Sequence, residues 1–178
     1  MLLALDISTS CTGYCLFNED KLVDIGSINL SKHKGLFDKA TQVKSDIIKL
    51  NKKHVITHVA VEENLQAFRP GLSSAKTLMT LAQFNGVVRW ICHEHLGVPV
   101  ESINVNTARK SVGLKIDKKD KSKTTKEKVL DWVSADDPTI KWPTKILKSG
   151  PNKGQKRTCS EAYDMADAYV IGKSFLVN

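Results

Sequence analysis

The alternation of apolar and polar positions predicts an α/β protein that opens with strands. Residues 2–6 form a short apolar run that ends in an acid. Residues 15–17 and 21–29 follow as two more strand-like runs separated by turn signals, which predicts a three-strand meander. Residues 12–14 are expected to be the tight connection between the first two strands. Apolar residues recurring at spacings of four and three from 36 to 50 then predict an amphipathic helix.

The next part of the pattern predicts a buried strand and a long helix. Residues 55–61 are almost uniformly apolar, which is typical of a strand covered by helices on both faces. A loop is expected over 64–71 and a helix over 73–95. Gly86 in the middle of that helix indicates close approach of a neighbouring element. The expected buried stripe of the helix is Ala75, Leu78, Met79, Ala82, Gly86, Val87, Trp90 and Ile91.

The remainder of the chain predicts alternating short elements and polar segments. Pro99 favours an edge position for a strand ending near Ile103. Thr158 and Glu161 have the spacing of a capping box at the start of the last helix. The other expected elements are a short helix at 107–112, a lysine-rich segment at 114–128, a helix carrying Val129, Trp132 and Val133, a long polar loop at 135–157, and a final helix at 159–175.

Meander strands followed by strands that alternate with helices predict one mixed sheet with helices on both faces. The chain has 178 residues, which suits one domain with a substantial core. We therefore expect a single domain over 1–178, with a basic loop insertion near 135–157.

Charge and cysteine content narrow the class of protein. The formal net charge is +8, and a basic excess favours a polyanionic partner such as nucleic acid, although it also serves solubility. The four cysteines form no CxxC pair and predict neither a zinc site nor a disulfide framework. No apolar run is long enough to cross a bilayer, and the N-terminus lacks signal-peptide features. The expected location is intracellular: cytoplasm or nucleoid, host cytoplasm for a phage protein, or an organelle.

Several acidic residues occupy positions where burial of an ionised carboxylate would cost free energy. Asp6 and Glu62 end two apolar runs, and Asp164 and Asp167 lie one helical turn apart. If they converge, they offer oxygen ligands for Mg²⁺ or Mn²⁺, and two such ions can drive phosphodiester hydrolysis. Each acid alone is also typical of a turn or a helix N-terminus, and Glu63 competes with Glu62.

Several segments, in order along nearly the whole chain, resemble the RuvC-type Holliday junction resolvases. The first is an apolar strand followed by an Asp, a turn of small residues and Thr-Gly-Tyr. The last is an Asp-x-x-Asp-Ala pattern near the end of the chain. The matching segments are 5–14, 60–63, 74–88, 106–110, 126–129 and 164–168.

The resemblance implies a ribonuclease H-like fold and a homodimer that nicks opposed strands of a four-way DNA junction in recombination and repair. It implies two Mg²⁺ or Mn²⁺ ions per active site and no nucleotide cofactor or membrane. The matching metal ligands are Asp6, Glu62, Asp164 and Asp167. Lys126 matches a lysine near the scissile phosphate, and either Arg109 or Lys110 matches a further basic position.

The chain departs from the family pattern at three places, of which one is the loop at 135–157, which is longer than in the family pattern. The turn after the first acid is Asp6-Ile7-Ser8, where the family usually has Asp-Pro-Gly. The family often has an aromatic residue shortly after the second acid, placed to act on bases at the junction. Here that position holds Leu65, with Phe68 three residues on, and either side chain is a candidate wedge.

Basic residues flank the predicted acidic site. We interpret two segments, 114–128 and 141–157, as surfaces that bind DNA phosphates on the two sides of the acidic site. The alternative for each is a solvated loop. Trp132 and Trp142 are candidates for base stacking, although Trp132 also fits a core stripe. The predicted DNA-binding residues are Phe68, Arg69, Arg109, Lys110, Lys115, Lys118, Lys119, Lys121 and Lys123.

Three other functions remain open from the residues alone. A ribonuclease H-like nuclease acting on flaps, forks or RNA–DNA hybrids would use the same acids. The run Ser8-Thr9-Ser10 with Thr12-Gly13 also resembles the phosphate-binding hairpin of actin-like ATPases, which need a much longer chain. A junction-binding protein without catalysis is the third, and the intact acid set argues against it.

Overall fold

A computed structural model describes residues 1–63, 74–117 and 119–177. The strands in these ranges are β1 (Leu2–Asp6), β2 (Cys11–Asn18), β3 (Lys21–Asn29), β4 (His58–Glu62), β5 (Val100–Ile103), β6 (Thr144–Ile146) and β7 (Lys156–Thr158). The helices are α1 (Leu36–Lys53), α2 (Ala75–Leu96), α3 (Val105–Ser111), α4 (Thr125–Asp136) and α5 (Glu161–Val177).

The main sheet has five strands in the order β3-β2-β1-β4-β5. The β1–β2 and β2–β3 pairs are antiparallel, whereas β1–β4 and β4–β5 are parallel. The predicted mixed sheet, with a meander joined to parallel strands, is thereby confirmed. Parallel pairing brings the carboxyl ends of β1 and β4 to the same edge of the sheet, and each of these ends carries an acid.

Side chains alternate between two cores, one on each face of the sheet. In β1, Leu3 and Leu5 pack in the core under α1 and α2, with Val43, Ile47, Phe84 and Val88. Leu2 and Ala4 point to the opposite face and pack in the core under α3, α4 and α5, with Val129, Val133, Tyr169 and Ile171. The expectation of helices on both faces is therefore confirmed.

Helix α5 is buried along most of its length, because it lies between the sheet and α3 and α4. A Cβ built at Gly172 would approach the Phe17 ring to 2.4 Å, so the helix rests directly on β2. The rings of Phe17 and Tyr169 lie 5.4 Å apart, and the Tyr169 hydroxyl donates to Asp136 at 2.7 Å. These contacts fix α5 against the sheet and α4.

Two predicted strand boundaries were wrong. Residues 12–14 belong to β2, because the chain turns earlier, over residues 7–10. The Ser8 hydroxyl stabilises that turn by accepting from the Cys11 amide at 3.2 Å and donating to the Cys11 carbonyl at 2.7 Å. The strand predicted from residue 55 begins at His58. The expected bounds of β1 and β3, and the helix over 36–50, are confirmed.

The buried stripe predicted for α2 was largely wrong. The helix buries Phe84, Asn85, Val88, Ile91 and Cys92, so Ile91 alone of the predicted set is buried. Met79 and Trp90 are 64% and 58% exposed. A Cβ built at Gly86 meets nothing within 4 Å in the described structure, so the expected close approach is absent there. The helix is apolar on two faces, and only one faces the sheet.

The segment predicted as a loop over 135–157 contains a two-stranded antiparallel sheet, β6–β7. Thr158 lies in β7 and pairs with Thr144, so the predicted capping box at α5 was wrong. A capping box does form at α4. There the Thr124 hydroxyl accepts from the Glu127 amide, and the Glu127 carboxylate accepts from the Thr124 amide.

Among the described residues, no helix is both long and apolar enough to cross a membrane. All four cysteines are free thiols, and three of them are buried.

Candidate active site

Strand pairing brings the first two predicted acids together. Leu5 of β1 pairs with Val61 of β4, so the residues that follow them, Asp6 and Glu62, end adjacent parallel strands. The residues before these acids are apolar and buried on both faces of the sheet, apart from the exposed His58. The two carboxyl groups are close enough to share a hydrogen bond.

A glycine in β2 brings α5 to the same place. Asp6 pairs with Gly13 across the antiparallel β1–β2 ladder. A Cβ built at Gly13 would lie 2.1 Å from the backbone oxygen of Asp164, so only glycine allows this approach. The first two turns of α5 therefore lie over the carboxyl end of β1, and Asp164 and Asp167 face the same cavity as Asp6.

All four predicted acids line one cavity of about 360 Å³. Asp167 is buried, and the other three acids are partly exposed. Glu63 also lines the cavity, but its carboxylate accepts from the Asn104 side chain at 3.2 Å. Glu62 is the member of the Glu62–Glu63 pair that interacts with both Asp6 and Asp167. The convergence expected from the sequence is therefore present in the structure.

Two basic side chains enter the acidic cavity. The Arg109 Nη2 atom lies 3.2 Å from Asp167 Oδ1, with both side chains mostly buried. The Lys126 Nζ atom lies 3.3 Å from Asp164 Oδ1. Lys110 is exposed and lines a neighbouring groove instead, so of the two candidates Arg109 is the one whose side chain reaches the acidic cavity.

The crowding of carboxylates raises their pKa values. Burial is the largest cause of the strongly raised pKa of Asp6, followed by the charges of Glu62, Asp167 and Asp164. Burial and the charge of Asp167 raise the pKa of Glu62, while Asp6, Arg109 and Lys126 oppose the change. The two carboxyl groups therefore disfavour each other's ionised form in the absence of added cations.

The same balance holds for the third acid and the lysine. Burial raises the pKa of Asp167, although Arg109 and Lys126 act to lower it. Burial acts to lower the pKa of Lys126, but the carboxylates of Asp164, Asp167 and Asp6 outweigh it and raise that pKa. Lys126 is therefore positively charged. The positive charge of Lys126 and Arg109 does not offset the effect of burial on the pKa of Asp167.

The donor set of the cavity fits hard divalent cations. Four carboxylates from two strand ends and one helix face supply the oxygen ligands that Mg²⁺ and Mn²⁺ prefer. Within the described ranges, no three acid, histidine or cysteine side chains are already gathered closely enough to hold one ion. Asp164 and Asp167 instead pair with Lys126 and Arg109, as expected for carboxylates with no other counter-charge.

Sequence reasoning gave no role to Asn85, which lines the cavity. Its side chain is buried and donates to the Glu62 carbonyl oxygen at 3.2 Å, which fixes the end of β4. The signal was a single amide inside an otherwise apolar helix stripe. Ser8 and Ser10 also line the cavity, and their hydroxyl oxygens lie 3.2 Å apart.

A second groove of about 350 Å³ adjoins the cavity and shares Arg109 with it. Lys110 and Lys115 line this groove. Lys119, Lys121 and Lys123 are exposed on the segment before α4, and Lys123 forms an ion pair with Asp131. Leu65, Phe68, Arg69 and Lys118 lie outside the described residues.

Both tryptophans considered for base stacking are partly buried. Trp132 and Trp142 both pack against the core on the α5 side of the sheet. The Trp142 indole also donates to the Ser134 hydroxyl at 2.9 Å. Both side chains therefore anchor the α4 region.

No protein-family model matches the chain, and no curated protein sequence matches it. Solved structures do match. RuvC of Thermus thermophilus in complex with a Holliday junction substrate is 16% identical, with a TM-score of 0.64 over 97% of this chain and 90% of that chain.

A second T. thermophilus RuvC structure is 16% identical, with a TM-score of 0.58 over 97% and 91% of the two chains. The yeast mitochondrial Holliday junction resolvase Ydc2 is 16% identical, with a TM-score of 0.59 over 99% and 77% of the two chains. These likenesses confirm at the level of fold the resemblance carried by the sequence motifs. The chain has the ribonuclease H-like fold of the RuvC-type Holliday junction resolvases.

Proposed function

We propose that this protein is a structure-selective DNA endonuclease that resolves four-way junctions by paired, metal-dependent phosphodiester hydrolysis. The observation that carries the proposal is the cavity in which Asp6, Glu62, Asp164 and Asp167 meet beside Lys126 and Arg109. Four carboxylates around one cavity hinder phosphate binding unless cations accompany them, so this arrangement serves catalysis better than binding alone. The whole chain is proposed to be one nuclease domain.

The substrate class is supported by the fold and the charge. A RuvC with this fold was solved with a Holliday junction substrate. The net charge of +8 and the groove beside the cavity, with Lys110 and Lys115, suit a polyanion. Contacts from lysine and arginine to phosphates carry little base information, which suits an enzyme that recognises DNA shape.

Each residue of the cavity has a distinct part in the proposed chemistry. Asp6, Glu62, Asp164 and Asp167 would hold divalent cations, which when bound supply an activated water and neutralise charge on the leaving oxygen. Lys126, more than half exposed beside Asp164, offers a positive charge to the scissile phosphate. Arg109 orients Asp167 through their ion pair. Asn85 and the Ser8 turn hold the strand ends in position.

We also propose that the protein acts as a homodimer, because paired nicks need two active sites. The support is an exposed apolar face on α1 and α2, formed by Leu36, Phe37, Gly86, Val87 and Trp90 around a hollow of about 600 Å³. Phe37 is 76% exposed. Large exposed apolar patches of this kind mark association surfaces.

The test is cleavage of a mobile four-way junction with Mg²⁺, with Mn²⁺ and with EDTA, with the nick positions mapped on all four strands. We expect symmetric nicks on two opposed strands with either metal and none with EDTA. Asp167→Asn should retain junction binding and lose cleavage. Metal-independent nicking, or full activity of Asp167→Asn, would remove this cavity from the chemistry. Flaps, forks and RNA–DNA hybrids belong in the same panel, because preferential cutting of one of them would favour a different ribonuclease H-like nuclease.

A further inference from the structure

The β6–β7 ribbon, residues 144–158, carries a dense positive charge that the rest of the described structure does not neutralise. Segment 141–157 contains six basic residues and no acid: Lys141, Lys145, Lys148, Lys153, Lys156 and Arg157. None of the ion pairs within the described ranges involves any of them. The charge therefore faces solvent.

Two like charges stand directly opposite each other in the ribbon. Lys145 pairs with Arg157 in the antiparallel register, between the Thr144–Thr158 and Ile146–Lys156 pairs. Directly opposed side chains lie on the same face, and like charges there destabilise the pairing. An anion lying across both would turn that repulsion into attraction.

The ribbon is an ordered projection from the body of the protein. Its ladder continues beyond the strands, since the Leu147 amide donates to the Gln155 carbonyl at 3.0 Å and the Gly154 amide donates to the Leu147 carbonyl at 2.8 Å. Among the described elements, the two strands pack extensively only against each other. A two-stranded ribbon of this kind fits the major groove of double-helical DNA, which is about 12 Å wide.

A trough joins the base of the ribbon to the acidic cavity. This outer trough, of about 510 Å³, shares Ser10, Lys126 and Asp164 with the cavity and extends to Ser160, two residues after the ribbon. Its lining includes the Glu161 carboxylate, which accepts from the Ser160 hydroxyl at 3.2 Å. Glu127, beside Lys126 on α4, has a lowered pKa chiefly because it accepts from Thr124, and Arg157 is among the charges that add to this effect. The outer trough therefore extends from Lys126 to Ser160, which follows the ribbon in the chain.

We propose that the β6–β7 ribbon binds one double-helical arm of the DNA substrate, with Lys145 and Arg157 on its phosphates, and so positions the strand that enters the cavity. This inference rests on the proposed nuclease function and adds a substrate-binding element to it. The ribbon supplies affinity and placement, and the cavity supplies the chemistry.

The test compares two double variants that each lose two positive charges. Lys145→Gln/Arg157→Gln removes the opposed pair and relieves its repulsion, so the fold should be retained. Lys52→Gln/Lys53→Gln is the control, since both lysines are exposed at the end of α1, before the amino end of β4 and away from the acids. Junction binding is measured in the Asp167→Asn background over a range of salt concentrations, and cleavage is measured in the otherwise unchanged protein.

For the ribbon variant we expect a salt slope about 2 units shallower and an affinity at about 0.1 M salt lower by on the order of tenfold to a hundredfold. Cleavage at limiting junction concentration should fall in proportion to the affinity, and the control should match wild type in both measurements. The difference in affinity between the ribbon variant and wild type should be smaller for junctions whose arms are shorter than one helical turn, about 10 base pairs.

The possible negative results distinguish failure of the ribbon inference from failure of the proposed nuclease function. A ribbon variant that binds like the control overturns the ribbon inference while leaving a cleaving wild-type enzyme intact. An equal loss on a single-stranded oligonucleotide overturns the assignment to a double-helical arm. If the wild-type protein neither binds nor cuts branched DNA, the proposed function itself fails.

Discussion

Gly13 and Asp164 touch through their backbones, since a Cβ at position 13 would lie 2.1 Å from the Asp164 carbonyl oxygen. This contact joins the second strand of the sheet to the first turns of the last helix. Because Gly13 also pairs with Asp6, the same residue sets the spacing between acids that lie far apart in the chain.

Gly13→Ala is therefore expected to disturb both stability and the site. The added methyl group must push α5 away from β2, at a cost of about 1–3 kcal/mol for overpacking. Chemical denaturation measures that loss, and junction cleavage should fall further than the stability loss explains. Gly86→Ala is the control for stability alone, because its Cβ meets nothing within 4 Å in the described structure, whereas its position on the proposed dimer face makes it unsuitable for cleavage. A normal cleavage rate in folded Gly13→Ala would contradict this role.

Asp6→Asn is expected to stabilise the metal-free protein while abolishing cleavage. The raised pKa values of Asp6, Glu62 and Asp167 mean that the native state holds more protons than the unfolded chain above the ordinary carboxylate range. Stability in EDTA should therefore be highest at low pH within that range and fall as pH rises towards neutrality. Asp6→Asn should therefore raise the free energy of unfolding by about 1–2 kcal/mol at neutral pH and make it less dependent on pH.

Thermal unfolding from pH 5 to pH 8 in EDTA measures this effect. Asp20→Asn, in the exposed turn after β2, is the control and should follow wild type. Mg²⁺ should raise the melting temperature of wild type by binding the native state, and it should do so much less for Asp6→Asn. Equal metal stabilisation of both proteins would place the ions elsewhere.

Substitution of the two basic residues of the cavity, Lys126 and Arg109, should affect the stability of the protein to different extents. Lys126→Gln removes a largely exposed side chain, so stability should change by no more than about 0.5 kcal/mol, while cleavage falls on the order of a hundredfold. Arg109→Gln leaves the buried Asp167 without its partner and should cost about 3 kcal/mol in EDTA. Denaturation and single-turnover cleavage of both variants make the comparison. Equal stability of the two would argue against a positioning role for Arg109.

Trp90→Ser should weaken self-association. The side chain is 58% exposed on the α1–α2 apolar face, and its loss removes much of that apolar surface. Sedimentation should give wild type a mass near twice the 19.7 kDa of one chain and give the variant a lower mass. Val55→Ser replaces a side chain that is 76% exposed but outside that face, and it should leave the mass unchanged. A monomeric wild type would end the dimer proposal.

The parts of the fold that sequence predicted well are those with one buried face. In α1, Ala40, Val43 and Ile47 recur at helical spacing on one side, so the pattern identified both the element and its core face. The acids at 6 and 62 were predictable because each ends an apolar run buried in the sheet. Asp164 and Asp167 followed from their spacing of three residues on one helix.

The errors have physical causes too. Helix α2 carries apolar residues on two faces, and the sequence cannot rank Phe84 and Val88 against Met79 and Trp90 without knowing which side meets the sheet. The β6–β7 ribbon is exposed on both faces, so it lacks the alternation that marks a half-buried strand. The cation in contact with Asp167 could not be chosen between positions 109 and 110, because that choice depends on the rotation of α3.

The position of α5 after the sheet strands in the chain has a consequence for the order of folding. The sheet strands and α1 to α4 all precede it, and domains emerge from the ribosome with the N-terminal part first. Until α5 has emerged and docked beside Gly13, Asp6 and Glu62 have no partners from that helix. The four acids can therefore come together only after this helix has docked, so assembly of the proposed metal site is a late step of folding.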